Sequence, residues 1–118
     1  MIWTHSIPQP PVPQFLRETL KDYPELIEQI QDYVNEVVAK YLERKWGVPF
    51  NEVVEVLEDT LSARYSDASE ALKEAEKTSD SQAIYRAKIK YNALVDAKRG
   101  PSLEELENYF QTYKGAFE

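Results

Sequence analysis

Apolar residues along this chain recur at alternating spacings of three and four, the rhythm of helices that bury one face. The clearest seam is Ile27, Ile30, Val34, Val37 and Tyr41, widened by Leu26, Tyr33, Val38 and Leu42. A stripe that broad suits a bundle better than a two-stranded coil, and it predicts a helix over 24–45. Asp22 and Pro24 mark its start, since proline has no donor to lose in a first turn and the aspartate can cap free amides. Gly47 and Pro49 mark its stop.

A second seam, Val54, Leu57, Leu61, Tyr65, Ala68, Leu72 and Ala75, predicts a helix from Phe50 or Asn51 to Lys77. At the helical rise it would be about 40 Å long, so either it breaks near 62–69 or the molecule is elongated. Thr78, Ser79, Asp80 and Ser81 form a turn and cap cluster, and the next helix spans 81–98 with Ile84, Ala87, Tyr91, Leu94 and Val95 inward. Tyr85, Ile89 and Ala93 fall off that face and give it a second apolar side. Arg99, Gly100 and Pro101 end it. Ser102 and Glu105 have capping-box spacing before a last helix carrying Leu103, Leu106, Phe110 and Tyr113, which Gly115 stops so that Phe117 can fold back. A short helix near 14–21 presents Phe15, Leu16 and Leu20. No segment alternates with period two.

The fold class that follows is all-α: an antiparallel bundle of four to five helices with a long central hairpin and an extended proline-rich N-terminal arm. Residues 1–13 form the arm and 14–118 a single helical domain. The arm holds four of the seven prolines, Pro8, Pro10, Pro11 and Pro13, with two PxxP spacings. A partner groove could read them, but the plainer expectation is an arm laid on its own domain through Trp3, Ile7 and Val12. Large apolar residues gather in the second helix, the start of the third and the last, which is where the core should lie. The alanine-rich hairpin tip should project or be covered by a second subunit.

Composition narrows the chemistry. The 118 residues carry 14 Lys plus Arg against 21 Asp plus Glu, a formal charge of −7, with no cysteine, one histidine and three glycines. That leaves no disulfide, cysteine-ligated zinc, thiol nucleophile or multi-histidine centre, and no glycine-rich phosphate loop. Net negative charge opposes general binding to nucleic-acid phosphates. No apolar run reaches membrane-span length and no signal-peptide pattern opens the chain, so the expected setting is the cytoplasm. The charge is uneven: residues 81–100 hold Arg86, Lys88, Lys90, Lys98 and Arg99 against Asp96 alone. Pairing of these cations with acids of the preceding helix is the economical account. A small RNA- or phosphate-binding patch with Tyr85 and Tyr91 is the sharper one.

The candidate interaction residues are of three kinds. Asp22, Glu25, Glu28, Asp32 and Glu36 place about one acid per turn along the second helix, which is ordinarily a solvated face and otherwise a docking face for a basic partner. Trp46, beside Gly47 at a helix end, is an exposed-anchor candidate. Tyr85, Ile89 and Ala93 are unmatched within one copy and suit a homodimer through the hairpin. Eight tyrosines suit the rim of a core or an interface. No catalytic or metal-ligating constellation, and no cofactor motif, is present in the sequence.

Ile7 to Leu16, Lys21 to Leu26, and the ending Tyr109-Phe110 with Lys114 to Glu118 resemble a group of small bacterial helical proteins of no known activity. The resemblance implies a bacterial, cytosolic, helical protein and assigns no residue a role. The sequence therefore points to a non-enzymatic acidic helical interaction protein, an adaptor, inhibitor or immunity-type partner binder, acting on a protein partner and forming homodimers. The alternative is a small-ligand-binding bundle with a Tyr-lined pocket between the second, third and last helices.

Overall fold

The computed structural model describes residues 3–100 and 102–118, so Pro101 of the expected helix stop lies outside the described residues. Five helices follow in order: α1 (Gln14–Thr19), α2 (Pro24–Arg44), α3 (Phe50–Glu76), α4 (Ser81–Ala97) and α5 (Glu104–Thr112), closed by a 3-10 turn over Lys114–Phe117. Among the described residues there is no strand. The long α3 is unbroken, and the molecule is elongated, 57 × 23 × 19 Å. No proline or glycine interrupts 50–76, and uninterrupted propagation of an existing helix is favourable.

Helices α3 and α4 form the antiparallel hairpin. α2 packs on α3 and α1 packs on α4, while α5 closes on the start of α3 and the 3-10 turn on α2. The core is built from Leu26, Ile30, Val34 and Val38 of α2, Val53, Leu57 and Leu61 of α3, Leu106 and Phe110 of α5, and Phe117, which does fold back. It extends further than the large-residue pattern suggests. Leu16 and Leu20 are fully buried, as are Leu94 and Ala97 at the C-terminal end of α4.

The arm belongs to this core. Val12, Pro10 and Pro13 are buried, and Trp3 and Ile7 pack against the cluster. Its carbonyls cannot be satisfied by local backbone donors, so side chains of the domain meet them. Tyr109 donates its hydroxyl to the Pro8 carbonyl at 2.6 Å, and Gln31 donates to the Pro10 carbonyl at 2.7 Å. Arg17 Nε reaches the Val12 carbonyl at 2.9 Å. Asn35, itself buried, accepts from Gln31 and donates to the Gln9 side chain. With Pro10 and Pro13 inside the domain, the second PxxP spacing is occupied by the protein's own packing.

Several local expectations give way to longer-range bonds. Asp22 does not cap α2: Tyr23 occupies the N-cap, and its carbonyl takes the Leu26 amide at 2.9 Å. The end of α2 is a left-handed Lys45 (φ 53°), not Gly47; the lysine's Nζ bonds the Ala116 carbonyl at 2.8 Å and Gly47 N–H bonds the Phe117 carbonyl at 2.9 Å. The capping box is not formed either. α5 starts at Glu104, which puts Glu105 one position too early to reach back. Glu105 instead accepts from the Gln14 amide at 2.7 Å and from Arg17 at 3.2 Å, tying α5 to α1.

Candidate functional site

The hairpin separates into two halves. Below Ala68 and Leu94 it is packed into the core; beyond them, residues 69–93 contain no fully buried side chain. This distal half is held by its own local chemistry. Asp80 is the N-cap of α4, its carboxylate accepting from the Gln82 and Ala83 amides at 3.0 and 3.2 Å. Thr78 turns the chain by donating to the Ala75 carbonyl at 2.7 Å and accepting from the Asp80 amide at 3.2 Å. Ala75, Ala83 and Ala87 are half-buried there, and Ala71 is exposed.

The junction between the halves is aromatic. Tyr65 of α3 and Tyr91 of α4 share a hydroxyl–hydroxyl bond of 3.1 Å, with ring centroids 5.3 Å apart. That bond raises the Tyr91 ionisation above the ordinary tyrosine range. Lys98 lies over the Tyr65 ring at 4.4 Å, and Lys90 lies over the Tyr23 ring at 5.5 Å.

These contacts replace the expected pairing of α4's cations with acids of α3. Among the described residues the ion pairs are Arg17–Glu105, Arg64–Asp67, Lys77–Glu74 and Arg99–Asp96, and none joins α3 to α4. Tyr65 and Tyr91 face each other across the hairpin, and most of its charged side chains are exposed. Two of the lysines turn to aromatic rings, while Arg86 and Lys88 remain in solvent.

Each candidate residue can now be placed. Tyr85 is 66% exposed and Ile89 40% exposed, one turn apart on the outer face of distal α4. Ala93, a turn further along the same row, is half-buried and packs against the core. Trp46 is 57% exposed just past α2; the Arg44 guanidinium lies 4.9 Å from its ring centre and Tyr41 meets it edge-on at 5.3 Å. Val48 beside it is also exposed. Asp22, Glu25, Glu28 and Glu36 are exposed, whereas Asp32 is half-buried and engaged with the protein. The acidic row is thus a solvent-facing side of α2, with exposed Tyr33 within it.

Groups with shifted ionisation are all tyrosines with structural partners. Burial, then the charge of Tyr113, pushes Tyr109 far above the usual range; a hydrogen bond to Glu52 raises Tyr41; burial, then Asp22 and Glu25, raises Tyr23. Among the described residues no three His, Cys, Asp or Glu side chains converge as a metal-ligand group. The arm clasp of Gln31, Asn35 and Tyr109 escaped the sequence reading; its one signal was a polar pair at i, i+4 bordering the apolar stripe of α2.

A cleft of about 320 Å³ opens between α3 and the connection from α4 to α5. Val54, Leu57, Leu61 and Leu103 line it, with Glu58 and Lys98 exposed beside them, and no tyrosine takes part. No helix among the described residues is long and apolar enough to cross a membrane. No protein-family model matches the chain, and no curated protein and no solved structure matches it either.

Proposed function

We propose that the protein is a non-enzymatic, acidic helical interaction protein that docks to a protein partner through its projecting hairpin. One observation carries this reading: 25 consecutive residues, 69–93, hold no fully buried side chain, and among them Tyr85 and Ile89 stand in solvent. Exposed aromatic and aliphatic side chains flanked by arginine have the composition of interface anchors. Support for a non-enzymatic role comes from the shifted groups, all engaged in packing rather than gathered in a cleft. Ile89 within the Arg86–Lys90 segment, together with the net charge of −7, favours a protein over a nucleic-acid partner. The cytoplasm is the setting this reading assigns, on the cysteine-free composition.

The test is affinity capture from the native host with wild type and with Tyr85→Ser/Ile89→Ser, which leaves the core untouched. Partners bound by wild type and lost by the variant are the expected outcome. An identical set of bound proteins, with helical circular dichroism unchanged, overturns the hairpin as the docking element.

A second reading, a small-ligand-binding bundle, rests on the cleft beside α3, whose volume reaches the lower range of ligand sites. It departs from a Tyr-lined pocket because leucine and valine form the lining. Leu61→Trp would fill it. Loss of binding of an apolar fluorescent probe in that variant supports the reading, and equal binding excludes the cleft.

A further inference from the structure

On the outer face of α4, Tyr85 and Ile89 stand in solvent one turn apart, and the next residue on their row, Ala93, is small and only half-buried where it packs against the core. Arg86 flanks the row and enters none of the ion pairs among the described residues. Asp96, ten residues beyond it, meets only Arg99, at 3.6 Å with both side chains largely exposed.

We propose that the partner at this face is a second copy of the same chain, α4 packing antiparallel on α4 across a twofold axis level with Tyr91. The inference rests on the interaction reading above and names the partner. In that register Ile89 of one copy faces Ala93 of the other, a large side chain over a small one. Arg86 comes opposite Asp96, and both contacts occur twice. A twofold interface needs one patch that matches itself in this way. An axis level with Ile89 instead would oppose Ile89 to its own copy and Arg86 to Asn92, so the charges select the first register. Lys90 is drawn aside to the Tyr23 ring, which removes a like charge from the contact.

The chain exposes 7365 Å², more than the roughly 6,600 Å² of a compact monomer of 13.7 kDa, as its 57 × 23 × 19 Å shape requires. Of the other exposed aromatics, Trp46 is already flanked by Arg44 and Tyr41.

Light scattering on a sizing column, with purified protein at tens of micromolar, should give twice the 13.7 kDa chain mass. Arg86→Glu alone and Asp96→Lys alone should each weaken the dimer about tenfold or more, since each sets like charges opposite one another twice. The double variant, with the charges exchanged, should restore it. Rescue is a readout that a purely local effect on α4 would not give. Ile89→Glu should yield monomers with helical circular dichroism retained; if it unfolds instead, the charge exchange still decides. A wild type of single-chain mass overturns the proposal, and so does a double variant no tighter than the singles. A dimer indifferent to all these changes overturns this face as the contact. The interaction reading falls by a different result, an unaltered set of captured host proteins from the Tyr85/Ile89 variant.

Discussion

Replacing Tyr109 with phenylalanine separates two effects of one hydroxyl, and their signs oppose each other. At neutral pH the hydroxyl donates to the Pro8 carbonyl at 2.6 Å and holds the arm to α5. Pro8 is exposed, so its carbonyl can turn to water, and the cost of the change is that of one ordinary hydrogen bond, about 0.5–1.5 kcal/mol. For a domain of this size that is a fall in melting temperature of roughly 2–6 °C. Above pH 10 the balance reverses. In the unfolded chain the phenol ionises near its ordinary value of about 10. In the folded chain burial holds it neutral to well above that value. A raised folded pKa means that the unfolded state binds fewer protons as pH rises past 10. The hydroxyl's stabilisation is therefore complete below pH 10 and is lost progressively above it, by up to about 1.4 kcal/mol per pH unit. The stability curves of wild type and Tyr109→Phe should converge and cross near pH 11. Urea titrations of both proteins from pH 7 to 11 measure this, and the tyrosines remote from Tyr109 cancel in the difference. Curves that stay parallel between pH 10 and 11 refute the buried neutral phenol. Equal stability at pH 7 refutes the bond to the arm.

Other consequences are simpler. Leu16→Ala should cost about 2–5 kcal/mol in urea unfolding because Leu16 is completely buried, whereas Tyr85→Ala should stay within about 0.5 kcal/mol; a cheap Leu16→Ala would detach α1 from the core. Asn35→Ala removes two side-chain bonds beside the arm, and a loss of about 1–2 kcal/mol is expected together with faster proteolysis of residues 3–13; an arm equally resistant to protease would show that the clasp does not hold it. EDTA should leave the melting temperature unchanged, and a reproducible shift of several degrees with one transition metal would reveal a site where no ligand group converges.

The helices were legible because each buries one face, but the sequence left open whether α3 breaks near 62–69 or runs on in an elongated molecule. The structure decides for the unbroken helix and the elongated molecule. What stayed hidden was settled by residues far away in the chain. Glu105 has the spacing of a local cap, yet its carboxylate serves Gln14, 91 residues earlier. Lys45 accepts a left-handed backbone because its ammonium reaches Ala116, 71 residues later. Proline content showed that the arm is extended but could not show that Pro10 and Pro13 enter the core. In the candidate site, Tyr85 and Ile89 were legible as residues off the seam. The coverage of Ala93 was not, since it follows from packing against the core that this row's spacing does not show. For two of α4's cations the missing ion pairs have the same origin: aromatic rings from α3 and from the turn before α2 attract Lys98 and Lys90.

The distal hairpin raises an energetic question that leads to a further prediction. Ordering a residue's backbone costs roughly 1–2 kcal/mol, and residues 69–93 bury no side chain completely to offset it. Two features keep these turns helical. They propagate from segments already fixed in the core, so the costly nucleation step is avoided, and alanine is the best helix former. Asp80 adds a cap, worth about 1 kcal/mol. The balance is close to zero, so the distal turns should open independently of the core. Native-state hydrogen exchange measures this residue by residue. Amides of 69–76 and 84–92 should exchange at least tenfold faster than those near Leu57, Leu61 and Leu94. Their protection should rise with protein concentration as the α4 face becomes covered. Uniform protection along α3 at low concentration would show instead that the hairpin is one cooperative unit with the core, and the case for an arm completed by a partner would lose its energetic basis.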